Sequence, residues 1–170
     1  MSDRSREVAF TGVMMALSLA LTWLENLMLV AVPGLPPGVR LGLSNVILMY
    51  CIKYIGIKYG AIIAAVKVIF VFATRGFTAG TLSFLGTLFS VLILIAFRNL
   101  DAVILLSILS SIAHNLGQIL GCIFVLSSWR AVYYLPVLMI SGIAVGALTG
   151  LVMKLVLNRI ETARKNIKKL

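Results

Sequence analysis

The sequence predicts an all-α polytopic membrane protein, a bundle of six transmembrane helices. Three observations carry that expectation. Hydrophobic residues make up 61% of the 170, charged residues only 12%, and the mean hydropathy is +1.11, whereas soluble domains carry about a quarter charged residues. Apolar runs separated by charged or Pro/Gly-rich breaks fall at 8–32, 41–54, 59–74, 81–97, 102–126 and 132–157, and a span needs ~20 residues. No stretch is polar enough for a soluble domain, so residues 1–170 form a single transmembrane domain with a basic tail at 158–170.

The first run is too long for a signal-peptide core and lacks a small-residue cleavage site, so it is expected to be retained. It has two faces. Gly12, Ala16 and Ala20 recur every four residues and form a ridge of small side chains suited to a partner helix. Thr11, Ser18, Thr22 and Glu25 lie roughly opposite. The second run follows PGLPPGVRLGLSN, Pro33 to Asn45, a proline-stiffened and glycine-hinged loop carrying Arg40. Runs two and three are short and read as tilted or partly buried helices; the third contains Lys67. TRGFTAGT, Thr74 to Thr81, is expected to be a loop carrying Arg75. The fifth run places Ser107, Ser111, His114, Gln118 and Gly121 on one stripe, flanked by Asn115. SSWRAVYYLP, Ser127 to Pro136, brings Arg130, Trp129, Tyr133 and Tyr134 to the next turn. The sixth run carries a second ridge, Gly142, Gly146 and Gly150, which reads as internal packing.

The cations fix an expected orientation. With both termini in the cytoplasm, eleven of the fifteen Lys and Arg fall inside, Arg40, Arg75 and Arg130 fall outside, and Lys67 is mid-span, as the positive-inside rule favours. A multi-pass protein of the cell membrane follows. The net charge of +10 then needs no nucleic acid, because a basic tail meets an anionic inner leaflet. Cys51 and Cys122 lie in apolar runs and read as small core residues, with no metal-ligand spacing.

Each outer loop carries one arginine, and three helices are expected to start at that face with their positive dipole ends. Arg40, Arg75 and Arg130 either share an anion-binding pocket or snorkel to phospholipid headgroups. A charge at membrane depth is costly, which singles out Lys67 and Glu25 as ligand contacts or as a structural ion pair. His114 reads as a hydrogen-bonded core histidine or a cavity wall. The aromatics anchor the interface or stack on a ligand.

GVRLGLSN after a proline-rich outer loop, six short spans and the Ala16 to Ala20 ridge resemble the Gx transporter family, also called heptaprenyl diphosphate synthase component I, across essentially the whole chain. That family is similar to the substrate-binding S components of energy-coupling factor transporters. The resemblance implies a small-molecule substrate, a transmembrane coupling subunit docked on Gly12, Ala16 and Ala20, and two ATPase subunits. It places Arg40, Ser44, Asn45, His114, Gln118 and the Arg130 to Tyr134 region near the ligand, and Lys67, Glu25, Asn115 and Arg75 complete the candidate set. The ligand class is a small anionic or amphiphilic cofactor precursor, flavin-like or isoprenoid- or quinone-related.

No catalysis is expected from this chain, and no cofactor. Diphosphate chemistry on magnesium needs clustered hard oxygen ligands, and the only aspartates are Asp3 and Asp101. No phosphate loop or nucleophile elbow is present. A non-catalytic accessory subunit of a prenyl diphosphate synthase is the main alternative; a secondary carrier and a purely structural protein are the others.

Overall fold

A computed structural model describes residues 3–31, 42–127 and 129–167, and every regular element among them is helical. Helix α1 is Asp3–Ala31 and α2 is Leu43–Tyr50, continued by a π-helical stretch, Cys51–Ile55. Helix α3 is Ile57–Ala96, α4 is Val103–Leu126, and a 3₁₀ segment, Trp129–Tyr134, leads into α5, Leu135–Ile167. Four helical stretches are long and apolar enough to cross a membrane, namely Ser5–Glu25, Ile57–Ala96, Val103–Val125 and Trp129–Thr162. The protein is therefore a membrane-embedded helical bundle.

Among the described residues there are five α-helices, where six separate ones were expected. The difference lies at Thr74 to Thr81, which is helical and not a loop. Only Gly76 breaks the pattern, with φ 77° and ψ −177°, a conformation open to glycine because it has no Cβ. That one residue reverses the chain. Ala61 and Val91 would stand ~45 Å apart on a straight helix, yet both line one groove. The limbs 57–75 and 77–96 of α3 thus form a hairpin, in which a Cβ at Gly80 would collide with the Phe72 ring. The 13-residue apolar stretch Leu43–Ile55 is too short to span. Most of the expected tail is also helical, since α5 runs on to Ile167.

Helix α4 is the bundle's axis, packed against both α3 and α5. Glycines permit the close approach on each side. A Cβ at Gly146 would sit 2.6 Å from Ile108 Cα and one at Gly150 2.8 Å from Ile104 Cα, while one at Gly117 would clash with the Leu85 carbonyl. The Gly142, Gly146, Gly150 ridge is therefore internal packing. The Gly12, Ala16, Ala20 ridge is the opposite case: all three residues are exposed, and nothing stands within 4 Å of a Cβ built on Gly12. On the other face of α1, Ser18, Thr22 and Glu25 are buried, while Thr11, expected on that face, is only half-buried and donates to the Glu7 carbonyl.

Short α2 wedges into the bundle. Val46, Leu48, Met49 and Ile52 meet Ala64, Leu94, Leu106 and Met153 to form the apolar core. This core fills the half of the bundle nearer the chain termini. At that end Lys53 Nζ donates to the carbonyl oxygens of Arg98 (2.9 Å) and Leu100 (2.6 Å), beside the C-terminus of α3, where a cation complements the helix dipole. Tyr59 donates to Glu7 Oε2 at 2.8 Å and joins α1 to α3. Cys51 and Cys122 are free thiols.

Candidate functional site

Above the apolar core the bundle turns polar. A cavity of about 360 Å³ of atom-free space, including its mouth, is lined by Glu25 of α1, Gly42 and Asn45 at the start of α2, Lys67 of α3, Ser111, His114 and Asn115 of α4, and Gly142 and Val145 of α5. All five helices contribute. Its innermost part has room for about one water molecule.

The start of α2 organises this cavity. Gly42 takes the left-handed conformation, φ 65° and ψ 20°, and its carbonyl accepts the Asn45 N–H at 2.9 Å. A Cβ there would be strained and would touch Val145 Cγ1 at 3.4 Å. Glycine carries no capping side chain, and the free N–H groups of the first turn need acceptors. Glu25 meets that need from another helix: its Oε1 accepts the Ser44 N–H at 3.1 Å. The next residue, Asn45, points its Oδ1 at Lys67 Nζ, 2.8 Å away. The GLSN segment, Gly42 to Asn45, is thus a turn that fixes a carboxylate and an ammonium on adjacent residues.

Both charges are buried, Glu25 and Lys67 each being 4% exposed. Burying a charge is costly unless it is paired or hydrogen-bonded. The opposite signs, the α2 dipole at Glu25 and the Asn45 oxygen at Lys67 all reduce that cost.

The α4 stripe divides its work. Ser107 exchanges a hydrogen bond with Thr149 (2.8 Å) and Ser110 with Ser90 (2.7 Å), tying α4 to α5 and α3. Asn115 Nδ2 donates to the Leu138 carbonyl at 2.6 Å and so holds the cavity wall to α5. Ser111 and His114 line the cavity itself, and the buried Gln118 packs beside Gly86 with His114.

Of the other candidates, Arg40 lies outside the described residues, as does most of its loop. Arg75 and Arg130 are exposed and do not line the cavity; Arg130 borders a separate surface hollow with Ser127, Trp129, Val132 and Tyr133. Arg75 stands eight residues beyond Lys67 on α3, about 12 Å along the axis. A common pocket of the described arginines with Lys67 and His114 is not formed, because these arginines sit at helix ends. Tyr134 is half-exposed and Ser44 contributes its backbone N–H, its hydroxyl being fully buried.

The family comparison settles the lineage. A family model described as heptaprenyl diphosphate synthase component I matches residues 14–156. The chain belongs to that family. All cavity-lining residues of this component I chain, Glu25 through Val145, fall inside the matched region. No curated protein and no solved structure matches it significantly.

Sequence reasoning placed an apolar span at 81–97, the second limb of α3, but missed the buried stripe on it. Gly80, Ser83, Thr87, Ser90 and Leu94 are all buried, at steps of three, four, three and four. That spacing is a legible helical stripe, but small hydroxyl residues within an apolar run scarcely alter its hydropathy.

Proposed function

We propose that this component I chain is a membrane substrate-binding protein of the S-component type, which captures a small anionic or amphiphilic molecule and hands it to a coupling subunit and two ATPase subunits. One observation carries the reading: a polar cavity lined by all five helices holds a buried lysine within the bundle. A purely structural bundle gains nothing from a charge at membrane depth, which costs about 2.5 kcal/mol or more. Lys67 supplies the positive group, Asn45 and Asn115 orient polar atoms, and Ser111 and His114 complete the lining. The substrate enters from the end opposite the basic termini, which the positive-inside rule makes the outer face of the cell membrane. The exposed Gly12, Ala16, Ala20 ridge receives the coupling subunit while the buried face of α1 holds the cavity.

In this reading the chain binds and does not catalyse. Arg75 and Arg130 act at longer range, drawing anions towards the mouth. Native mass spectrometry of the protein purified in mild detergent tests the proposal. A retained small anion that disappears in Lys67→Met supports it; an empty protein, with no saturable ligand among vitamin-like anions, overturns it.

The family's description favours a second reading, a non-catalytic membrane subunit that partners another synthase component. Co-purification of a soluble prenyl diphosphate synthase whose activity falls without this chain decides for it.

A further inference from the structure

Among the described residues lining the polar cavity, with His114 neutral, only Glu25 and Lys67 carry formal charge, one of each sign. The empty cavity therefore sums to zero. A ligand that is only an anion would gain from Lys67 but would also bring a second negative group to Glu25, in a buried setting where screening is weak. A ligand with one charge of each sign keeps the sum at zero and leaves no buried charge uncompensated.

The hydrogen bonds point the same way. Among the described residues the Glu25 carboxylate accepts one hydrogen bond, from the Ser44 N–H to Oε1 at 3.1 Å, whereas a carboxylate has about four acceptor sites. Glu25 is 4% exposed and lines the cavity, so its second oxygen has no bulk water to turn to. Asn115 adds a further acceptor. Its Nδ2 donates to the Leu138 carbonyl, which fixes the orientation of the amide and leaves Oδ1 without a donor among the described residues. Asn115 is also buried and also lines the cavity. Acceptors on α1 and α4 thus lack protons that a carboxylate or phosphate cannot bring, while an ammonium brings three.

Space narrows the choice further. The innermost part of the cavity holds about one water molecule, which suits an ammonium and is too small for a phosphate. We infer that the ligand is a small zwitterion of the amino-acid class, its ammonium on Glu25 and Asn115 and its carboxylate on Lys67, with the Asn45 amide beside it. This rests on the binding-protein reading above and narrows its anionic ligand to one that also carries a cation. Glu25 then has two tasks. One oxygen caps α2, and the charge selects against ligands that are anions alone, as like charges do across an interface.

The test uses the full-length protein in phosphatidylcholine nanodiscs. Pools of the common α-amino acids, with β-alanine and 4-aminobutyrate, are screened by thermal shift, and each hit is titrated calorimetrically. Two relatives of each hit follow, the carboxylic acid lacking the amine and the amine lacking the carboxylate; both should bind at least roughly ten-fold more weakly. Glu25→Gln keeps an oxygen for the Ser44 N–H and removes the charge. It should weaken the amino acid roughly ten-fold or more while strengthening the amine-free acid, an inversion that partial unfolding does not produce. If the amine-free acid binds the unaltered protein as tightly as the amino acid, or if Glu25→Gln weakens both alike, the zwitterion is overturned and the anion reading stands. Binding of no pool, while native mass spectrometry retains some other anion, has the same meaning. A protein that is empty in both measurements overturns both readings.

Discussion

The Glu25 carboxylate accepts the Ser44 backbone N–H at 3.1 Å across nineteen residues of sequence, so the first helix caps the second. This contact links the two faces of α1. Its buried face anchors the cavity and its opposite face carries the exposed small-residue ridge. Glu25→Ala removes both the cap and the negative charge that faces the cavity, and should lower unfolding stability by about 1.5–3 kcal/mol, the range for a hydrogen bond to a charged group. Glu25→Gln keeps an acceptor oxygen and should lose markedly less. Denaturant unfolding in detergent compares them; equal losses would mean that the charge alone matters.

Gly42 sets up that cap. With φ at 65°, Gly42→Ala should cost about 1–2 kcal/mol from left-handed backbone strain. The added Cβ would stand in ordinary contact with Val145 Cγ1, 3.4 Å away, so the loss is expected from the backbone and not from packing. An alanine variant as stable as the parent would show that the turn relaxes freely.

The two glycine ridges give opposite expectations. Gly146→Ala drives a Cβ to 2.6 Å from Ile108 Cα and must separate α4 from α5, costing about 1–3 kcal/mol as other overpacked cores do. Gly12→Ala meets nothing within 4 Å and should be neutral or stabilising by up to about 1 kcal/mol. Thermal unfolding of the isolated protein checks both. Under the proposed function, Ala16→Leu with Ala20→Leu should block capture of the coupling subunit while ligand affinity holds.

These ridges also show what the sequence could and could not convey. Small residues at every fourth position identify a close-packing face, and the opposite placement of Ser18, Thr22 and Glu25 correctly put the polar side of α1 inward. The α4 stripe was equally visible, because 3.6-residue periodicity survives in any solvent. The kink at Gly76 was not, since a helix reversal through one glycine has the same composition as a short loop. Nor was the role of Glu25, which depends on where α2 begins in space relative to α1. Arg75 and Arg130 could be assigned to one end of the bundle by counting, yet only depth along the helices separates them from Lys67.

Lys67 bears on both binding and folding. Its ammonium is buried against Asn45 at 2.8 Å, and a charge at such a depth stabilises a bundle poorly compared with a well-packed apolar side chain. Lys67→Met retains the length and bulk of the side chain but leaves the Asn45 oxygen without its donor and the buried Glu25 without its opposite charge, so stability should fall by about 1–3 kcal/mol. Affinity for an anionic ligand should fall by at least about ten-fold, corresponding to about 1.4 kcal/mol. Arg75→Gln and Arg130→Gln, both outside the cavity, should change affinity by no more than about three-fold and act mainly on the association rate, with an effect that fades as salt rises. Calorimetric titration and stopped-flow binding read these quantities. A Lys67→Met protein that binds normally but unfolds readily would make the lysine a structural strut, and the cavity would lose its claim to an anion.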